Sequence, residues 1–208
     1  MTITRRFFIA GAGASAAAMV STPALARCAS SYYSGYVRDN GFSFRRTNFK
    51  KVDKRWHKQF VKYFSRESPG TIVIDTKNHF LYYIWENQTA IRYGVGVGRE
   101  GFKWYGRARI NHRALWPRWV PPKEMRERHP ELPESMDGGP ANPLGPRALY
   151  LYDKGGDTGY RVHGTTDPCS IGTDASSGCI RMFSEDVIDL YQRVPDGTRV
   201  SVLKHLGA

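Results

Sequence analysis

Short segments in which apolar and polar residues alternate make up most of the chain after residue 70. This two-residue period is typical of β-strands, and turn-forming residues separate the segments. The pattern predicts strands over residues 71–75, 80–85, 90–97, 108–115, 147–152, 160–163, 179–182 and 198–203. Turns at Lys77-Asn78 and at 86–88 join the first three strands, so we expect a β-meander. A further strand is expected within residues 55–64, ahead of the turn at Pro69-Gly70.

One helix is predicted after the strand at 179–182. Ser184 is suited to its N-cap position, and acidic residues follow in the first turn, where the helix dipole favours them. The apolar residues then recur at helical spacing: Val187, Ile188, Tyr191 and Val194. Gly197 ends the segment, and a second, shorter helix is expected near residues 123–128.

The segment from Pro117 to Gly139 interrupts the strand pattern with five prolines and many charged residues. A loop of this length inside a compact domain usually serves as a lid or a binding loop. Trp116 and Trp119 stand at its start, where they either form one wall of a substrate cleft or fix the loop to the core. Together the elements predict a mainly β fold, a sandwich or barrel-like domain with one short helix after residue 182 and a long Pro-rich loop.

Residues 1–26 have the composition of an export signal rather than of folded structure. Arg5 and Arg6 precede an apolar stretch over 7–20, and Ala24-Leu25-Ala26 offers a small-residue cleavage site. The apolar stretch is too short to span a bilayer comfortably, so no transmembrane span is expected in the mature chain. Paired arginines before Phe7 resemble a twin-arginine signal, and an ordinary secretory signal is the alternative. Either route predicts an exported protein of the periplasm or cell envelope.

The positive charge is concentrated in residues 27–68. The whole chain carries +12, of which the signal contributes +2, residues 27–68 contribute +8 (eleven Lys or Arg against three acids), and residues 69–208 the remaining +2. Residues 27–50 show no clean period, which favours a basic linker or extension. Export makes a nucleic-acid partner improbable, and anionic envelope polymers, lipid headgroups or peptide carboxylates are the better candidates. A solvated linker without a specific partner is the alternative.

Three cysteines occur, at positions 28, 169 and 179. Disulfides are permitted in an exported protein. If Cys179 stays free for chemistry, Cys28 and Cys169 are left to pair, but Cys28 lies in the predicted linker, and two unpaired thiols are the favoured interpretation. The spacing of Cys and His residues fits no common metal motif, so neither a metal nor another cofactor is predicted.

His163 and Cys179 are the candidate catalytic residues. A thiol becomes a good nucleophile only when it loses its proton, and a nearby imidazole can accept it. Cys179 follows His163 by sixteen positions, which is enough for a loop to bring them together across neighbouring strands. Taken singly, each residue is more often structural, a core histidine or an inert buried thiol. The pair is informative because of its context, VHGTT at 162–166 and SSGCIRM at 176–182.

Other residues of these two segments are candidates for supporting roles. The backbone N–H groups of Gly178 and Cys179 could stabilise an oxyanion, and a carbonyl near Gly164 could hold the imidazole. Arg181 alternates with Cys179 along the predicted strand and so shares its face, where it could bind a substrate carboxylate. The alternative for Arg181 is a salt bridge to a nearby acid: Asp174, Glu185 or Asp186. Further candidates for substrate binding are Thr165, Ser176, Ser177 and Trp119, although small polar residues in loops usually stabilise turns.

These segments resemble the signature of the L,D-transpeptidase catalytic domain family. The family pattern is His-Gly, a gap of similar length, and then Ser-His-Gly-Cys followed by an aliphatic residue and Arg or Asn. Further similar stretches are PGTIVIDT at 69–76, GVGVGREGF at 94–102, WPRWVPP at 116–122 and GGPANPLGPRALYL at 138–151. The resemblance covers residues 69–204. Ser177 departs from it, because many members carry a second histidine at this position.

The resemblance implies a β-sandwich fold and a cysteine-dependent acyl transfer in cell wall biogenesis. Family members attack the third-residue carbonyl of a peptidoglycan tetrapeptide stem, release D-alanine and form a thioester. The acceptor can be a neighbouring stem, a D-amino acid, the amine of an envelope protein, or water, and the residues do not choose among them. A wall hydrolase of the L,D-carboxypeptidase type and a non-catalytic peptidoglycan-binding protein are the competing hypotheses.

Overall fold

The structure is a computed structural model that describes residues 28–99 and 104–204. Its strands are β1 (Tyr33–Asp39), β2 (Phe42–Thr47), β3 (Gln59–Lys62), β4 (Ile72–Asp75), β5 (Phe80–Ile84), β6 (Thr89–Gly94), β7 (Val97–Gly98), β8 (Gly106–Leu115), β9 (Arg147–Asp153), β10 (Gly156–His163), β11 (Asp174–Ser176), β12 (Ile180–Arg181) and β13 (Arg199–Val202). The α-helices are α1 (Lys123–Arg128) and α2 (Ser184–Arg193). Single 3₁₀ turns lie at Ser30–Tyr32, Lys54–Trp56 and Pro168–Ser170.

Nine strands form the central sheet, in the order β12-β10-β9-β8-β13-β4-β5-β6-β3. Neighbouring strands are antiparallel except for two parallel pairs, β4 with β13 and β10 with β12. The short strands β7 and β11 pair separately and in parallel. The mainly β fold predicted from the alternating pattern is therefore confirmed, and so are the predicted strands and both helices, with ends that differ by a few residues.

One face of the sheet carries the main core because alternate residues of its strands are apolar. Ile72, Ile110, Leu149 and Val162 are fully buried there, whereas their neighbours along each strand face the other way. Helix α2 covers this face with Val187, Leu190 and Val194. Of the residues predicted from helical spacing, Val187 and Val194 are in the core, Tyr191 packs against it partly buried, Ile188 is half-buried, and Leu190 was not predicted. Burial of this face leaves the opposite face available for polar residues.

An ionic and hydrogen-bonded cluster fixes the outer side of α2. The hydroxyl of buried Tyr93 donates to Asp189 Oδ2 at 2.6 Å, and the Arg193 guanidinium donates to both Asp189 oxygens at 3.0 and 2.8 Å. Lys58 Nζ lies 3.2 Å from the same carboxylate. With these partners the pKa of Asp189 falls to about 2 although burial acts in the opposite direction. These contacts fix the position of α2 relative to β6.

The start of α2 differs from the prediction by one residue. Phe183 occupies the N-cap position and Ser184 is the first helical residue. The Ser184 hydroxyl donates to the Thr165 carbonyl at 3.2 Å instead of capping the helix. Phe183 takes this place because its ring is buried, 1% exposed, against the N-terminal part of the chain. Ser184 therefore joins the helix to the segment that follows β10.

The N-terminal part forms regular structure within residues 28–68, so the interpretation of residues 27–50 as a linker is wrong for the residues that the structure describes. Strands β1 and β2 form an antiparallel hairpin. Glu185 accepts hydrogen bonds from the Thr47 N–H at 2.7 Å and from its hydroxyl at 2.9 Å. Phe49 packs edge-on against Phe183, with ring centroids 5.2 Å apart. We call residues 28–68 the N-terminal extension.

A buried ion pair joins the hairpin to the sheet. The Asp39 carboxylate accepts two hydrogen bonds of 2.7 Å from the guanidinium of Arg147, whose side chain is only 5% exposed. Trp116 Nε1 donates to the same carboxylate at 2.9 Å, and Phe42 packs on the indole ring. The bond from Arg147 holds the pKa of Asp39 below its usual value. Of the two roles considered for Trp116, the structure supports fixing the loop to its surroundings.

A disulfide links Cys28 to Cys169, with their Cα atoms 5.6 Å apart. The favoured interpretation of two unpaired thiols is therefore wrong. It followed from the expected linker, whereas the ordered extension brings Cys28 to the segment between His163 and Cys179. Asp167 lies close to both sulfurs, but disulfide-bonded sulfurs offer no thiolate to a metal ion.

The export signal predicted for residues 1–26 lies outside the described residues. Within 28–99 and 104–204, no helix is long and apolar enough to cross a membrane.

Candidate active site

The parallel pairing of β10 with β12 brings the two candidate catalytic residues together. The register pairs Val162 with Ile180 and His163 with Arg181. One step back, Cys179 lies beside Arg161, where the Arg161 backbone N–H stabilises the thiolate form of Cys179. Residues at two-position spacing on paired strands share a face. Cys179 and His163 therefore lie on the same side of the sheet, with one residue pair, Val162 and Ile180, between them along the strands.

The imidazole of His163 is buried and its orientation is fixed. Nδ1 lies 2.6 Å from the Gly164 carbonyl oxygen, and because a carbonyl can only accept, Nδ1 carries the proton. The Nε2 atom is then the basic nitrogen. A side chain at position 164 would contact Pro146 at 2.9 Å, so glycine is required here for the close packing of two loops. The backbone carbonyl predicted to hold the imidazole is thus the one of Gly164.

Burial keeps both groups neutral. It lowers the pKa of His163 to about 4, with the positive charge of Arg181 acting in the same direction. Burial also raises the pKa of the Cys179 thiol above its ordinary value, and the nearby Arg161 only partly opposes this effect. At neutral pH the site therefore holds a thiol and a neutral imidazole rather than a thiolate–imidazolium pair. Such an arrangement suits proton transfer during nucleophilic attack.

A tight turn presents Cys179. The buried Ser176 hydroxyl donates to the Cys179 carbonyl at 2.5 Å and accepts the Gly178 N–H at 3.1 Å. Gly178 has φ of 120°, a conformation that only glycine adopts without strain. Strand β11 pairs with β7 and holds the start of this turn. Ser176 thus shapes the turn, half-buried Ser177 lies within it, and the Gly178 N–H is already hydrogen-bonded to Ser176.

Arg181 has none of the three acidic partners suggested by the sequence. Asp174 bonds to His79, Glu185 bonds to Thr47, and Asp186 is buried in α2. The carboxylate whose charge acts on Arg181 is Asp167, and burial of the guanidinium lowers the pKa of Arg181. Arg181 is half-buried and its backbone pairs with Gly96. It keeps its hydrogen-bonding capacity on the same face as Cys179.

Three residues of this face were not singled out from the sequence. The Arg161 guanidinium forms two hydrogen bonds of 2.8 Å to Asp157 and lies 4.6 Å from the centroid of the Tyr150 ring. Its charge lowers the pKa of Cys179, whereas that of Asp157 raises it. The available signal was the two-residue spacing between Arg161 and His163, which repeats that between Cys179 and Arg181.

The loops around the site are held by their own hydrogen bonds. Thr165 Oγ1 accepts the Asp167 N–H at 3.0 Å, which places Thr165 in a turn. The buried amide of Asn142 donates to the Pro117 carbonyl at 2.9 Å and to two further carbonyls of the Pro-rich loop. Trp119 exchanges backbone hydrogen bonds of 2.8 Å with Met136, and its side chain is half-buried. The loop has a defined shape over the residues that precede β9.

The fold and the site define a class of protein. A mostly β domain presents a Cys and a His from adjacent parallel strands, with a fixed tautomer and a glycine-containing turn at the cysteine. This combination suits covalent acyl transfer by a thiol. The site is therefore a candidate for thiol-dependent acyl transfer.

A profile of the L,D-transpeptidase catalytic domain family matches residues 69–202. The chain belongs to this family.

Relatives in several bacteria agree with this assignment. The probable L,D-transpeptidase YbiS of Escherichia coli (strain K12) is 30% identical over 142 residues, which cover 64% of this chain and 44% of YbiS. The chain thus matches less than half of the length of that relative. A Fuscovulum blasticum protein named "Putative L,D-transpeptidase in ATP synthase subunits region ORF 5" is 29% identical over 97% of this chain and 98% of its own length.

A solved structure from Brucella melitensis shares the fold. It is titled a probable carnitine operon oxidoreductase, is 49% identical, and superposes with a TM-score of 0.50 over 75% of this chain and 99% of its own. The oxidoreductase name is that of the Brucella protein alone.

Proposed function

We propose that this protein is an exported L,D-transpeptidase that uses Cys179 to transfer an acyl group from a peptidoglycan tetrapeptide stem to an amine. The observation that carries the proposal is the pairing of β10 with β12, which puts Cys179 and the oriented His163 on one face. The Cys28–Cys169 disulfide supports export, because such bonds persist in oxidising compartments.

Acylation begins with the neutral thiol. Cys179 Sγ forms a bond to the third-residue carbonyl carbon of the stem while its proton passes to His163 Nε2. The carbonyl becomes an oxyanion, for which we assign the Cys179 N–H as donor, since the Gly178 N–H already donates to Ser176. The amide C–N bond then breaks. The leaving amine takes the proton from His163 and departs as D-alanine, leaving a thioester.

Deacylation reverses these roles. An acceptor amine attacks the thioester, gives its proton to His163, and forms the new amide as the Cys179 sulfur leaves and regains a proton. Arg181 has the donor geometry for a carboxylate of the stem. Ser177, Thr165 and Trp119 are the further candidates for lining the substrate cleft. A neighbouring stem, a D-amino acid and an envelope protein each supply an amine that this chemistry accepts.

The test is mass spectrometry of mature protein incubated with disaccharide-tetrapeptide. We expect loss of D-alanine and formation of cross-linked dimers, together with an acyl adduct on Cys179. Cys179→Ala should abolish all three, whereas the double variant Cys28→Ser/Cys169→Ser should keep the adduct, which separates the proposed nucleophile from the other sulfurs.

Other outcomes select the competing hypotheses. Tripeptide without dimers would favour hydrolysis, or a protein acceptor absent from the assay. No D-alanine release and no adduct, with a carbapenem as well as with the tetrapeptide, would overturn the catalytic proposal and favour a peptidoglycan-binding protein.

A further inference from the structure

The sheet face that carries Cys179 continues well beyond the catalytic pair. Across the sheet, Arg161 is paired with Tyr150, Arg109 with Tyr152, and Arg199 with Arg109. Paired residues of neighbouring strands project to the same side. The arginines of β8 and β13 therefore lie on the face of Cys179, opposite the face that α2 covers.

A cavity of about 330 Å³ opens on this face over β8, β9 and β13, in the middle of the sheet. Four cationic residues line it: Arg107, Arg109, Lys154 and Arg199. Its position can be estimated from the strand order, since four strand spacings separate β12 from β13. At roughly 4.8 Å per spacing, the cavity, whose lining runs from β9 to β13, lies about 10 to 20 Å from β12 across the sheet. It is thus separate from the proposed active site but on the same open surface.

The positive charge of the cavity is only partly offset by its own acids, because four cationic residues face two carboxylates. Two carboxylates line it, and both are engaged: Glu67 pairs with Arg107 at 3.2 Å, and Asp153 accepts the Gly155 N–H at 2.7 Å. Among the described residues, no carboxylate lies within salt-bridge distance of Lys154 or Arg199. Residues 69–208 carry only +2 in total, so this cluster is a local concentration rather than general basicity.

The cavity wall also holds an unsatisfied polar group. Thr71 lines the cavity, is 1% exposed, and has a buried hydroxyl oxygen without a hydrogen-bond partner. Buried polar groups are nearly always hydrogen-bonded, and an unpartnered one in a cavity wall points to a ligand or solvent partner. Exposed guanidinium and ammonium groups beside a hydroxyl donor match the needs of an oxyanion such as a carboxylate.

We propose that this cavity, which we call the distal cationic site, binds a carboxylate of a second stem peptide on the same peptidoglycan strand that is acylated at Cys179. The proposal rests on the proposed function. Peptide carboxylates are favoured over phosphate because the site shares the open face of Cys179, and one polymer carrying repeated acidic peptides can occupy both. The distal cationic site then increases affinity for polymeric substrate without touching the reacting atoms.

The variant Lys154→Gln/Arg199→Gln tests this proposal. In the Cys179→Ala background we expect its retention on purified sacculi to weaken about tenfold, which corresponds to the loss of charge-assisted contacts. With Cys179 present, KM for sacculi should rise by a similar factor, whereas turnover of soluble disaccharide-tetrapeptide should stay unchanged. Arg38→Gln/Arg46→Gln, which removes two exposed charges from the hairpin, is the matched control and should bind as the parent does.

Three results would overturn the proposal. One is equal weakening by the control variant, which would show a non-specific charge effect. Another is an equal loss of activity on the soluble substrate, which would show damage to the active site. The third is loss of binding to phosphatidylglycerol vesicles with sacculus binding intact, which would assign the site to phosphate. Because binding is measured without Cys179, the distal cationic site can stand even if no D-alanine is released.

Discussion

The surroundings of the Cys179 sulfur determine the pKa of the thiol, and two oppositely charged neighbours shift this pKa in opposite directions. Arg161 lies beside Cys179 in the parallel register, and its guanidinium is fixed by a two-point contact with Asp157. The cation favours the thiolate and the carboxylate disfavours it. Their effects on the reactivity of the thiol should therefore have opposite signs.

We expect Arg161→Gln to raise the pKa of Cys179 further and Asp157→Asn to lower it. At pH 8 the rate of alkylation by iodoacetamide should fall roughly threefold in the first variant and rise by a similar factor in the second, as a shift of about half a pKa unit gives. Rates measured from pH 6 to 10 give the pKa directly. Arg109→Gln, on the same face but two strands away, should leave the profile unchanged. A decrease in both variants would indicate that the pair acts only by maintaining structure.

Asp186 is a second residue whose pKa is raised by burial in the folded protein. Asp186 is buried in the first turn of α2, and one of its carboxyl oxygens has no hydrogen-bond partner. Burial raises its pKa to about 7, although Lys58 acts against this. Between its ordinary pKa and 7 the folded state binds more protons than the unfolded state, so stability falls as pH rises through this window and stays low above it.

Asp186→Asn removes this dependence. We expect the variant to match the parent near pH 3, where the carboxyl is mostly protonated in both the folded and the unfolded state, and to exceed it at pH 8 by on the order of 2 to 4 kcal/mol in the free energy of unfolding. Urea denaturation at the two pH values measures the difference. Asp137→Asn serves as control, because that side chain is 95% exposed. A variant that is less stable at pH 8 would show that the charged carboxylate has a stabilising partner.

Within the site, the sequence predicted the residues that belong to recognisable motifs. It missed residues that contact the site only because of how the strands pair. The context of His163 and Cys179 predicted the pair, and the two-residue spacing placed Arg181 on the same face. Tyr150 could not be found in this way because it reaches the site through strand pairing with Arg161, and Asp157 could not because it contacts Arg161 across an irregular part of β10. The predicted salt bridge of Arg181 was wrong for the same reason, since the three acids nearest in sequence have other contacts or are buried elsewhere.

At the scale of elements, the segment between His163 and Cys179 depends on the N-terminal extension. The disulfide from Cys28 reaches Cys169, and the Tyr33 hydroxyl donates to the Thr166 carbonyl at 2.8 Å. Ile171 packs in a small cluster with Val52 and Phe183. Each contact restrains the segment whose two ends carry the proposed base and nucleophile.

Removal of the disulfide should therefore affect both stability and catalysis. We expect Cys28→Ser/Cys169→Ser to lower the free energy of unfolding by about 2 to 4 kcal/mol, as is typical when a long closed loop is opened. Acylation should slow while the pKa of Cys179 stays the same, because the change affects the position of the loop and not its charge. Thermal unfolding and the rate of adduct formation measure the two effects. Cys179→Ala, which keeps the disulfide, should unfold as the parent does.

The strands after residue 70 were predictable because burial on one face imposes a two-residue period. The extension was not, because its hairpin is exposed along most of both strands and so lacks that period; Phe44 and Thr47 are the buried residues of β2. Its order comes from contacts distant in sequence, such as Asp39 with Arg147, which a local pattern does not reveal.

At the scale of the whole molecule, the family profile and the folded unit have different boundaries. The profile begins at residue 69, yet β3 forms an edge of the central sheet and the hairpin neutralises a buried arginine. Trp56 packs directly on Gly172, where any side chain would collide with the indole ring. The Fuscovulum blasticum relative matches almost the full length of the chain. The extension is thus part of the folded unit.

A fragment of residues 69–208 should consequently fail to fold stably, whereas a chain that begins at residue 27 should fold. Without the extension, Arg147 loses the carboxylate with which it pairs, and the apolar surface of Phe183 becomes exposed. Circular dichroism melts of the two proteins test this.

In the longer protein, Asp39→Ala should lower the melting temperature, and adding Arg147→Met should recover part of the loss, because it removes the unpaired charge. Equal melting temperatures for the fragment and the longer protein would contradict the prediction for the fragment and show that residues 27–68 act as a linker.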